Sequence, residues 1–111
     1  AHFYGIASFS YAHFHMHAQF HNAVFHESTW FEKVHFEYFA DFEDSNFSKE
    51  TSFKHTHFKR GTNFDNVHFV DTADFSNTKF KFPESHESNK IIKSLNTNLD
   101  NAEFGAEFPT G

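Results

Sequence analysis

The chain of 111 residues contains no cysteine. Disulfide staples, thiolate metal sites and cysteine nucleophiles are therefore excluded together. Proline occurs twice, glycine four times, and tryptophan and methionine once each. No apolar run approaches the length of a membrane-spanning helix. Basic residues are in the minority. Nine Lys plus Arg against 15 Asp plus Glu leave a formal charge of −6, which argues against a basic patch for duplex nucleic acid. The length suits one small domain. In excess are 19 phenylalanines and 11 histidines.

Fifteen phenylalanines form a series: Phe3, Phe9, Phe14, Phe20, Phe25, Phe31, Phe36, Phe42, Phe47, Phe53, Phe58, Phe64, Phe69, Phe75 and Phe80. The gaps alternate six and five throughout, so the true period is 11 residues. Only Phe39, Phe82, Phe104 and Phe108 fall outside it. Two residues before each member stands a small or β-branched residue, from Ala1 and Ala7 through Thr29, Val34 and Ser45 to Thr78. A helix cannot use this pattern. At about 100° per residue, a Phe five positions on lies about 140° away, and the small residues scatter round the cylinder without forming a stripe. The small–x–Phe triplet has period two instead, a very short strand with both apolar residues on one side. Asn22, Asp44, Asn66 and Asn77 each follow a Phe by two, where a corner needs a residue tolerant of left-handed backbone. Gly5 and Gly61 fall in corners as well. One small residue accompanies each Phe because the interior cannot hold two large side chains per side at native density.

The units Ala40-Asp41-Phe42, Ser45-Asn46-Phe47, Thr62-Asn63-Phe64 and Ala73-Asp74-Phe75 resemble pentapeptide repeats, whose pattern is a small residue, Asp or Asn, Leu or Phe, and two free positions. The resemblance covers residues 1–80 and returns at Thr97-Asn98-Leu99 and Ala102-Glu103-Phe104. Two departures stand out. Alternate units carry a sixth residue, as in a Phe-rich branch of the family, and many middle positions hold His. The resemblance implies an all-β fold, a right-handed four-sided β-helix with Phe9 to Phe80 of the series stacked in its lumen. Four units make a coil of 22 residues, although a two-sided coil of 11 fits the same period. The 78 residues from Phe3 to Phe80 then form about 3.5 coils, a rod roughly 17 Å tall at about 4.8 Å per layer.

The expected division is a β-helix over 1–82, a loop or short helix over 83–96 serving as cap or excursion, and an irregular terminal coil over 97–111. Ile91, Ile92 and Leu95 are the apolar contacts of the middle segment. Ala1 opens a unit in register without an initiator Met, which reads as a piece of something longer. A soluble, cytoplasmic chain is the expectation.

A lumen filled with Phe leaves chemistry to the outer faces, corners and ends. In a 22-residue coil His13, His35, His57 and Lys79 share one column, and His15, Glu37, Lys59 and Lys81 the next. His13, His15, His35, Glu37 and His57 are the surface candidates for a divalent metal, since imidazole suits zinc and nickel. The simpler expectation is no cofactor, because exposed His ladders arise wherever a position is unconstrained. Charging all 11 His would carry the formal charge from −6 to about +5, so stability should fall at acid pH. Glu32 with Lys54 and Glu37 with Lys59 should pair across coils, and Tyr38 should meet Arg60. No nucleophile stands beside a base, and phosphate loops and zinc-protease motifs are absent, so an enzyme is not expected.

The expected function is a non-catalytic scaffold that binds a protein partner, or itself, through its faces or coil ends. It has no membrane span and makes no direct contact with nucleic acid. The family resemblance implies a second reading, a mimic of duplex DNA acting on DNA gyrase. Glu32, Glu37, Asp41, Glu43 and Asp44 fit it, while Lys54, Lys59, Arg60, Lys79 and Lys81 interrupt it. A third reading is metal or proton sensing by the His face.

Overall fold

The computed structural model describes residues 1–81 and 97–104. Within them every regular element is a two-residue strand, and none is a helix. The strands stack in parallel on four sides. The first side holds β1 (His2–Phe3), β5 (Val24–Phe25), β9 (Asn46–Phe47) and β13 (His68–Phe69). The second holds β2 (Ala7–Ser8), β6 (Thr29–Trp30), β10 (Thr51–Ser52), β14 (Ala73–Asp74) and β16 (Thr97–Asn98). On the third lie β3 (His13–Phe14), β7 (His35–Phe36), β11 (His57–Phe58), β15 (Lys79–Phe80) and β17 (Glu103–Phe104). The fourth has β4 (Ala18–Gln19), β8 (Ala40–Asp41) and β12 (Thr62–Asn63).

Partners such as His13 with His35, His35 with His57, and Ala18 with Ala40 lie 22 positions apart. The coil is therefore four-sided with 22 residues, and the two-sided alternative is excluded. Ala73 pairs with Thr97 and Lys79 with Glu103, a spacing of 24, so the last two strands join their sheets two residues later than the 22-residue period. The expectation for 83–96, and the tail beyond 104, lie outside the described residues.

Phenylalanine rings on one side stack at the strand spacing. Phe31, Phe53 and Phe75 have centroids 4.9 and 4.8 Å apart and are nearly parallel. Rings from opposite sides meet edge to face across the lumen, as Phe31 and Phe42 do at 5.6 Å and 88°. Both arrangements suit the aromatic quadrupole. Phe25 to Phe64 of the series, together with Phe75, are at most 1% exposed. Phe3, Phe9, Phe14 and Phe20 are only partly buried, because theirs is the first coil. Phe104 stacks on Phe80 at 5.1 Å. Phe39, outside the series, lies on the outer surface with its ring edge over Gly61, where an added Cβ would come within 3.3 Å.

The two gap lengths have separate structural causes. Five-residue gaps follow the second and fourth sides, and there the chain makes a tight corner through a residue of positive φ. These residues are Tyr11, Asn22, Lys33, Asp44, His55, Asn66, Asn77 and Asn101, with φ between 57 and 67°. At several of these corners the side chain in the middle of the preceding triplet holds the turn. Asp41 accepts from the Glu43 amide at 2.9 Å, Asn63 from Asp65 at 2.8 Å, and Asp74 from Ser76 at 2.8 Å. This is the Asx turn, and it is why Asp or Asn is favoured at that position. Six-residue gaps follow the first and third sides, whose middle positions carry no such duty. Histidine occupies them freely: His2, His13, His35, His57 and His68. Buried hydroxyls complete the corners, with Ser45 donating to Phe42 O and Thr78 to Phe53 O, both at 2.6 Å. Thr56 donates in the same way to Phe31 O in the coil below.

Candidate interaction surface

Because the lumen is solid, the accessible chemistry lies in outward columns. On the third side His13, His35, His57 and Lys79 are strand partners in sequence. Ring centroids are 5.2 Å apart for His13 and His35, and 6.0 Å for His35 and His57. Beside this column the His13 Nε2 lies against the Glu37 carboxylate. Lys59 Nζ donates to the same Glu37 oxygen at 3.1 Å. Hydrogen bonds from His13 and then Lys59 draw the Glu37 carboxyl down from 4.5 to about 2. Burial, followed by the charges of Lys79 and Lys59, holds the His57 imidazole below its usual value. His15 stacks on His13 at 4.3 Å, and His13, His15, Glu37, Tyr38, Lys59 and Arg60 line one shallow groove.

The metal candidates are thus brought together on one side, His13, His35 and His57 in one column and His15 and Glu37 beside it, and Glu37 is occupied by a hydrogen-bonding imidazole and an ammonium. Among the described residues no three ligating side chains converge on one point. The acidic cluster is likewise interrupted. Glu37 stands between His15 and Lys59 in its column, so this side presents no continuous negative stripe.

The second side holds a further groove, lined by Trp30, Glu32, Glu50, Ser52, Lys54 and Asp74 among others. Here one expected pair is corrected. Lys54 lies 3.9 Å from Asp74 rather than bridging to Glu32, whose carboxylate instead accepts from the Ser52 hydroxyl at 2.7 Å. The hydroxyl one layer above satisfies Glu32, leaving Lys54 to the acid one layer further on. The expected Glu37–Lys59 pair and the Arg60–Tyr38 contact, at 5.7 Å, are both present. Trp30 is the aromatic of this groove. Its marker in the sequence is its outward middle position between Thr29 and Phe31.

The pH dependence follows from the signs of the two shifts. The folded state holds His57 below its unfolded value of about 6.5, so folding favours the neutral ring. That contribution is complete above the unfolded value and is lost as pH falls through the lower folded one. Glu37 adds stability above pH 4.5 that is lost towards pH 2. Melting followed by circular dichroism should therefore give a lower midpoint at pH 5 than at pH 7.5. His57→Asn should narrow that gap. Equal midpoints at the two pH values would contradict it.

A solid-cored, four-sided parallel β-solenoid with polar outer columns defines a repeat protein whose described concavities are shallow surface grooves. The family model for pentapeptide repeats (9 copies) matches residues 1–37, 9–57 and 42–82, and the chain belongs to that family. No curated protein and no solved structure matches the chain. Among the described residues no helix is long and apolar enough to cross a membrane.

Proposed function

We propose that the chain is a non-catalytic scaffold that binds a protein partner along its second side. The observation that supports this is the groove around Trp30. A half-buried indole there sits among Glu32, Glu50 and Asp74, with Lys54 the one cation among the groove's described lining residues. Indole and carboxylate together suit an arginine- or lysine-bearing segment, which gains stacking and ion pairing from one surface. Tryptophan is also among the residues that most often dominate binding energy at interfaces. The lumen offers no competing site, since its rings are packed against one another.

A photo-crosslinking residue at Thr72, on the groove's wall, tests the reading. The expected result is one partner, identified by mass spectrometry and bound again when purified, with affinity reduced about tenfold or more by Trp30→Ala. A partner whose binding ignores Trp30→Ala and Glu50→Lys would overturn it.

A further inference from the structure

Positive charge gathers at one place in this acidic chain. Between Glu50 and Asp65, and again between Asp74 and Glu84, the sequence has no Asp or Glu. The two stretches fall in consecutive coils. On the third side they place Lys79 over His57 as its strand partner, and Lys81 over Lys59 in the next column. Arg60 follows at the corner. Lys59, Arg60, Lys79 and Lys81 are all exposed, and they are four of the nine Lys and Arg of the chain. Among the described residues the acids of this side are Glu37 and Glu103. Four fixed cations against these two leave the side at +2, in a chain whose formal charge is −6.

Two of the cations are engaged. Lys59 is shared with Glu37, and Arg60 lies over the Tyr38 ring. Among the described residues neither Lys79 nor Lys81 has a carboxylate within ion-pair distance. Together with His57, Lys59 and Glu103 they line a shallow groove across β11, β15 and β17.

We propose that this groove binds a phosphoryl dianion, either inorganic phosphate or a phosphate monoester. A phosphoryl group carries nearly two negative charges and three strong acceptor oxygens. It can therefore meet Lys59, Lys79 and Lys81 together, across two layers about 4.8 Å apart. A carboxylate, with one charge, would leave part of the cluster unpaired. The surroundings also select an anion over a metal. Burial and the charges of Lys79 and Lys59 hold the His57 ring below its usual value, with Glu37 the one carboxylate opposing them. His35 from β7 and His55 from the corner complete its neighbours and bring no negative charge. A cation entering there meets repulsion, and an anion meets attraction. The patch is two layers deep, with Asp74 on the second side and Asp41 on the fourth. That suits one phosphoryl group and not the long row of phosphates along a duplex. The groove lies on a different side from Trp30 and does not rest on it.

Nitrogen-15 spectra of the 111-residue chain at pH 7.5, titrated with inorganic phosphate against sodium chloride at constant ionic strength, test this. Saturable shifts centred on His57, Lys59, Lys79 and Lys81 are expected. Lys79→Gln with Lys81→Gln should weaken binding about tenfold or more, and Lys79→Arg with Lys81→Arg should preserve it. Lys33→Gln with Lys49→Gln removes the same charge away from the groove and should leave binding unchanged. A second titration with O-phosphoserine separates the sources. Binding as tight as that of phosphate assigns the groove to a phosphate ester, and binding of phosphate alone to the free anion; either supports the proposal. No saturable shift, the same shifts with chloride, or an equal loss in K33Q/K49Q would each overturn it.

Discussion

Phe53→Ala is expected to lower folding stability by about 3–5 kcal/mol, the cost of a large cavity in a core that cannot collapse to fill it. Phe53 is fully buried and stacked between Phe31 at 4.9 Å and Phe75 at 4.8 Å, with Phe42 and Phe64 edge-on from the opposite side. The backbone ladder fixes the layer spacing, so neighbouring rings cannot slide inward. Global stabilities of small domains lie at about 5–15 kcal/mol, so this variant risks unfolding. Phe53→Leu, at a smaller loss, keeps the comparison measurable by urea titration. Phe3→Ala should cost clearly less, because Phe3 is only partly buried in the end coil. Equal losses at Phe53 and Phe3 would contradict a layered core.

Ala40→Leu is expected to destabilise by about 1–3 kcal/mol, through overpacking. Ala40 is fully buried beside Phe42 and lies between Ala18 and Thr62 in the stack. The three added carbons have no free volume to enter. Ala40→Thr should be far milder, since Thr62 occupies the same station one coil on and is itself buried. The contrast separates volume from polarity. A leucine tolerated as well as threonine would mean the small positions are not under steric constraint. Urea midpoints for the two variants provide the measurement.

The core was legible because two constraints repeat without interruption. Every Phe of the series and the small residue before it face inward, so a simple count finds them. The coil length was not legible, because a period of 11 fits both a two-sided and a four-sided coil. Only the pairing of His35 with His57, rather than with a residue 11 away, decides it. The corners were half legible. Asn22, Asp44, Asn66 and Asn77 announce left-handed backbone, but Tyr11, Lys33 and His55 adopt it as well. Their residue types do not favour it, and the repeat around them imposes it. The outward columns followed from the register, while individual ion pairs did not. Lys54 turns to Asp74 because the Ser52 hydroxyl already satisfies Glu32, a competition that charge spacing cannot reveal. The His-rich middle positions became intelligible only when the Asx corners were seen on the other two sides.

The native absence of cysteine makes one measurement especially direct. Cysteines introduced as His35→Cys with His57→Cys would sit on adjacent parallel strands and on the same outward column. Those introduced as His35→Cys with Asn46→Cys, half a coil apart, would sit on opposite sides. Under mild oxidation of dilute protein, the first pair should close an intramolecular disulfide and the second should remain reduced, since bridged Cα atoms must lie within about 7 Å. Closure of the second pair in preference to the first would contradict the 22-residue, Phe-filled coil on which the whole account stands.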